Sequence, residues 1–115
     1  MTREFVLMPE FDKQWKGMGL DDEDLYRLQD ELLKNPMIGP VMRGTGGLRK
    51  MRFSLEGKGK SGGSRVLYVD FYIHKTIFLI YAYPKSEREN ITQAERNIYR
   101  QLIAQLDENL GRKPK

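Results

Sequence analysis

Seven of the chain's eleven glycines and seven of its cations fall within residues 43–65, RGTGGLRKMRFSLEGKGKSGGSR, against a single acid, Glu56. Gly57, Gly59, Gly62 and Gly63 leave residues 56–64 with little to pack, because glycine loses the most backbone freedom on ordering and brings no apolar surface. That stretch must be a connection: a mobile basic loop that leaves its lysines in solvent. The alternating residues 48–55 before it and the β-branched and aromatic residues 65–73 after it read as the two strands it joins. Seven cations minus one acid give the segment a charge of +6 in a chain whose formal net is +4, so the remainder sums to −2. Positive charge focused beside bare backbone suits a polyanion, since counterion release and backbone N–H groups both favour phosphate contacts.

A length of 115 residues supports one domain, residues 1–115, with a single core that buries roughly two-thirds of the unfolded chain's surface. The absence of cysteine excludes a disulfide framework, a thiolate metal site and a cysteine nucleophile, and points to a reducing cytosol. No window approaches the ~18 apolar residues of a membrane span, and the N-terminus has no cleavable leader pattern. The expectation is a cytoplasmic, unprocessed protein without membrane contact.

The flanking segments have a clear order. Phe5, Val6 and Leu7 form a short strand that stops at Pro9, and a helical turn follows through Phe11 and Trp15 until Gly17 and Gly19. Asp21 is an N-cap with acids in the first turn behind it, and Leu25, Leu28 and Leu32 recur at helical spacing until Asn35 and Pro36. In the strand over 48–55, Met51, Phe53 and Leu55 should face the core, with Lys50 and Arg52 on the opposite side. Residues 65–73 and 76–83 should pair through a tight turn at His74 and Lys75, and the apolar run 77–82 should be the central strand. Thr92 and Glu95 form a capping box for a last helix whose stripe is Ile98, Leu102, Leu106 and Leu110, and Gly111 should stop it before a frayed basic tail over 111–115.

Several motifs fail on inspection. Gly59, Lys60 and Ser61 suggest a phosphate loop, but Ser54 stands where that motif needs glycine, and a strand follows where it needs a helix. Gly44 and Gly46 would open a dinucleotide fingerprint only with glycine at position 49, which is Arg49. His74 is the single histidine and reads as a solvated turn residue, so an acid/base scheme with two imidazoles is excluded within one chain. Asp70 is the lone acid within the three strands between 48 and 83, whereas magnesium needs clustered carboxylates. Chemistry on a phosphodiester would then rest on cations. Lys50 and Arg52 project from one side of a strand about 6.5–7 Å apart and could straddle a phosphate. Crowding by Arg49, Arg52 and Arg65 would disfavour the charged form of Lys50 and make it a base. Arginine supplies fixed, bidentate charge stabilisation. On these residues alone both cleavage and plain nucleic-acid binding stay open.

The order strand, two helices, basic strand, glycine-rich lysine loop, Arg-Val-Leu-Tyr strand, apolar strand and terminal helix resembles the RelE/ParE toxin superfamily. The blocks GTGGLRKMR (44–52), KGKSGGSRVLY (58–68) and YPKSERENIT (83–92) are similar to its HigB-like branch. The resemblance implies a compact α+β fold, with a mainly antiparallel sheet of about four strands, two N-terminal helices and a C-terminal helix. It implies the toxin of a type II toxin-antitoxin pair: a ribosome-dependent, metal-independent mRNA endonuclease without a cofactor, held by a small antitoxin of the helix-turn-helix type. A non-catalytic ribosome binder and a ParE-type gyrase poison are the alternatives on the same fold. Carried over, the residues around the scissile phosphate are Lys50, Arg52, Arg65 and Lys85, and the further RNA contacts are Arg43, Arg49, Lys58, Lys60 and Tyr83. Where the family has a tyrosine after the last basic residue this chain has Ile91, with Tyr83 the candidate replacement.

Overall fold

The computed structural model describes residues 2–54 and 63–112. Its elements are β1 (Glu4–Leu7), α1 (Pro9–Gly17), α2 (Asp22–Lys34), β2 (Arg49–Phe53), β3 (Ser64–Phe71), β4 (Thr76–Pro84) and α3 (Gln93–Arg112). No described helix is long and apolar enough to cross a membrane. Local chemistry accounts for most of the boundaries. Pro9 opens α1 where a missing N–H costs nothing. Asp21 accepts from the Asp24 N–H while the Asp24 carboxylate accepts from the Asp21 N–H, so two orphan donors at the start of α2 are satisfied at once.

The strands form one sheet in the order β1-β4-β3-β2, with β1 parallel to β4 and the other two pairings antiparallel. As the 77–82 run predicted, β4 is central. It and β3 are buried along nearly their whole length because both faces are covered, which is why they read as continuous apolar runs rather than alternating ones. One face carries Phe11, Trp15, Leu28 and Leu32 of the first two helices against Met51, Phe53, Val66 and Leu79. The other packs Ile103, Tyr99, Leu102 and Leu106 of α3 against Leu67, Val69, Phe78 and Ile80. The chain is thus a compact α+β domain with helices on both sides of a mixed sheet.

Four sequence expectations need adjustment. Ile98 is 62% exposed; the stripe of Leu102, Leu106 and Leu110 continues backwards through Tyr99 instead, since a 3.6-residue period makes i−3 and i−4 equal candidates and only the partner surface chooses. Gly111 does not stop α3, which runs through Arg112; the left-handed φ that would make a glycine a helix stop is found at Gly19, Gly44, Gly46, Gly47 and Gly63 but not there. Strand β3 ends at Phe71, and a four-residue turn, with Lys75 at φ 52°, replaces the two-residue turn at His74 and Lys75. His74 is half-buried, its Nε2 3.8 Å from the Asp107 carboxylate on α3. The loop reading over 56–64 falls outside the described residues up to position 62, as does Leu55. At its end Gly63 has φ 60°, and an added Cβ would stand 2.6 Å from the Phe53 carbonyl oxygen, so only glycine lets the chain re-enter the sheet here.

Candidate nucleic-acid interface

The register of β2 and β3 places Arg52 directly opposite Arg65, with Lys50 opposite Leu67 and Arg65 opposite Tyr83. All three cations therefore share the sheet face that α3 covers further along. Like charges facing each other across strands repel, and the chain compensates with a segment folded over from the far side of β4. Glu89, in the connection from β4 to α3, accepts from Arg65 Nε at 3.2 Å and from Nη2 at 3.4 Å. The Lys50 ammonium lies 3.9 Å from the same carboxylate and donates to the Glu89 carbonyl at 3.0 Å and to Asn90 Oδ1 at 3.2 Å. The hydrogen bonds from Arg65 hold the Glu89 carboxyl below the usual carboxylate range against a desolvation cost, with Lys50 and Lys85 acting in the same direction.

A cleft of about 430 Å³ opens here, lined by Ile38, Pro40, Lys50, Met51, Arg52, Arg65 and Glu89. Its apolar wall belongs to the segment between α2 and β2, which is tied down along the sheet edge. The Lys50 N–H donates to the Pro40 carbonyl at 3.2 Å and the Met42 N–H to the Leu48 carbonyl at 2.7 Å. The buried Tyr68 hydroxyl accepts from the Gly39 N–H at 3.0 Å and donates to the Pro36 carbonyl at 2.8 Å. The approach is so close that a Cβ on Gly39 would lie 2.7 Å from the Lys50 carbonyl oxygen.

The expected site residues divide. Lys50, Arg52 and Arg65 meet in the cleft. Arg52 is exposed, whereas the Arg65 side chain is only 3% exposed and so acts as a fixed charge at the floor. Lys85 is exposed just beyond β4; its N–H bonds the Gly63 carbonyl, and its charge acts on Glu89. Arg49 leaves the group: alternation sends it to the other side of β2, where Nη1 donates to the Gly39 carbonyl at 2.7 Å. Arg43 is exposed in the turn before β2, its carbonyl bonded by Arg96 of α3, and does not line the cleft. Lys58 and Lys60 lie outside the described residues. Tyr83 is fully buried beneath the site, its hydroxyl donating to the Glu89 carbonyl at 3.3 Å and its ring covered by the Arg88 guanidinium, so it supports the 85–92 segment rather than offering a stacking face. The expected crowding of Lys50 by cations alone is also overturned, because Glu89 and Asn90 supply acceptors on its free side. Asp70 is engaged by Arg3 at 2.8 Å.

Sequence reasoning missed Glu89 and the wall of Ile38 and Pro40. No spacing rule marks them, since each reaches the cations through a loop. A fixed arginine and a lysine at one carboxylate, with an exposed arginine lining the same cleft, can take a phosphate's oxygens.

A family model described as the RelE toxin of the RelE/RelB toxin-antitoxin system matches residues 7–113. Among solved structures, the chain is similar to a double arginine-to-alanine mutant of the E. coli toxin RelE in the free state, with a TM-score of 0.55 and 22% identity over 77% of this chain and 90% of that one. That likeness is one of fold, and it agrees with the helix and strand order above. With the family model covering almost the whole chain, the protein belongs to the RelE toxin family.

Proposed function

We propose that this toxin is a ribosome-dependent mRNA endonuclease of the HigB-like branch, acting in the cytoplasm without a metal ion and restrained by an antitoxin of the helix-turn-helix type. The observation that carries the reading is the convergence of Lys50, Arg52 and Arg65 on one sheet face and one cleft, where Lys50 and Arg65 meet the Glu89 carboxylate and the charge of Lys85 also acts on it. Lys50 and Arg52 straddle the scissile phosphate of a message in the ribosomal decoding site. Arg65, held rigid by burial, stabilises the charge that grows on the phosphoryl oxygens as the ribose 2′-hydroxyl attacks; its preorganisation avoids reorganising solvent at that moment.

The test is to add the purified chain, wild type or Arg65→Ala, to a translating bacterial extract and map message 5′ ends by primer extension. New ends that require translation and fall by about 10²–10³-fold with Arg65→Ala support the reading. Intact message with stalled translation contradicts it and favours a ribosome binder. Intact message with normal translation contradicts it in favour of another target.

A further inference from the structure

In the proposed reaction something must take the proton of the attacking 2′-hydroxyl, and the structure narrows the candidates. Tyr83 is buried beneath the site. His74 sits at the hairpin turn between β3 and β4, paired with Asp107. Lys50 is engaged as a hydrogen-bond donor to two oxygen acceptors. Arg52 and Arg65 end in guanidinium groups, which offer N–H donors and no acceptor. Among the described residues lining the cleft, the one group that carries no proton at neutral pH and can accept one is the carboxylate of Glu89. It is also positioned: both oxygens are bonded by the nearly buried Arg65, its main-chain carbonyl is bonded by Tyr83 and by Lys50, and its own side chain stays 49% exposed to the cleft.

We propose that Glu89 is the general base of this site, oriented by Arg65, with Lys50 as its acid partner. The proposal rests on the endonuclease reading and adds to it a residue that the resemblance does not supply. A phosphate entering the cleft comes between the Lys50 ammonium and the Glu89 carboxylate, now 3.9 Å apart. The 2′-hydroxyl proton passes to a Glu89 oxygen as the 2′-oxygen bonds to phosphorus. The P–O5′ bond breaks, and the departing 5′-oxygen takes a proton from Lys50. The products are a 2′,3′-cyclic phosphate and a 5′-hydroxyl, and Glu89 returns its proton to Lys50, so no co-reactant is consumed. The Arg65 hydrogen bonds that lower the Glu89 pKa favour its charged form, at some cost in basicity. The Glu89 carboxylate also shares the Arg65 charge with the entering phosphate and repels it, so loss of its charge should favour binding.

These two roles separate in one experiment on the full chain. Single-turnover cleavage of ribosome-bound message by wild type, Glu89→Gln and Glu89→Asp is measured against pH, alongside binding to ribosomes carrying a 2′-O-methyl message that cannot be cut. The proposal expects Glu89→Gln to bind as tightly as wild type or more tightly while cleaving about 10²-fold or more slowly. It also expects the acidic limb of the pH profile to vanish in Glu89→Gln and to be kept in Glu89→Asp, with part of the rate. Cleavage by Glu89→Gln within about threefold of wild type, or faster, overturns it and leaves Glu89 as a placeholder for phosphate. Loss of binding together with cleavage also overturns it, in favour of a structural role. A wild-type chain that binds and never cuts removes the endonuclease reading itself, a result distinct from either.

Discussion

Arg65 does two things that a lysine could not. Its planar fork holds both oxygens of Glu89 while burial fixes it against Tyr83 and the floor of the sheet, and a guanidinium is weakly enough hydrated to be kept there charged. Arg65→Lys should therefore fall close to Arg65→Ala in cleavage rate rather than close to wild type, measured on the same programmed ribosomes. The residue scale is also where the sequence was least legible. Lys50 and Arg52 could be picked out because strand alternation puts both on one side, whereas Arg65 is assigned to the site through the family resemblance. Glu89 could not, because its contact with Arg65 spans 24 positions and depends on how the 85–92 segment turns. Arg49 illustrates the converse: it stands in the same basic run, yet one residue of strand offset sends it to Gly39 instead of the cleft.

At the scale of elements, the devices that position the cleft are mostly local and were mostly readable. The Thr92 and Glu95 capping box is present in both halves: the Glu95 N–H donates to Thr92 Oγ1 at 3.1 Å and the Thr92 N–H to the Glu95 carboxylate at 2.8 Å. Glu95 is also gripped by Arg88, which lies over the Tyr83 ring, so the start of α3 and the segment bearing Glu89 are tied together. Thr92→Ala should lower unfolding free energy by about 1 kcal/mol in urea titration and, by loosening that tie, reduce cleavage more than binding. Gly39→Ala tests the wall opposite. Its new Cβ meets main chain rather than a flexible side chain, so the 36–41 segment must move off β2, at a cost of about 1–3 kcal/mol, and the cleft should open on that side with weaker RNA binding. No propensity argument foretold that wall, because its place comes from the Tyr68 hydroxyl 29 positions away.

For the whole molecule, the legible part was the order of elements and the central place of β4, both of which follow from burial on two faces. The phase of α3 and the end of β3 were not legible, since each is set by the surface that meets it. The sheet and its helices also carry a shared ionisation signature. Tyr68, Tyr81, Tyr83 and Tyr99 all have hydroxyls pushed up, chiefly by burial, Tyr99 to about 12. A phenol whose folded value lies above the unfolded value of about 10 stabilises the fold fully below that pH and progressively less above it, because the unfolded chain releases its protons first. Melting temperature should therefore fall between about pH 10 and pH 12, and Tyr99→Phe should make the fall shallower, as differential scanning calorimetry across that range would show.

If Lys50, Arg65 and Glu89 act together as proposed, this chain cuts translated message through the ribose 2′-hydroxyl. That is tested most directly by incubating the purified chain with ribosomes programmed with a defined message and determining the chemistry of the cut ends. The expected ends are a 5′-hydroxyl on one fragment and a 2′,3′-cyclic phosphate on the other, formed on ribosome-bound message and absent from the same RNA free in solution. Uncut message, or fragments bearing 5′-phosphates, would contradict it.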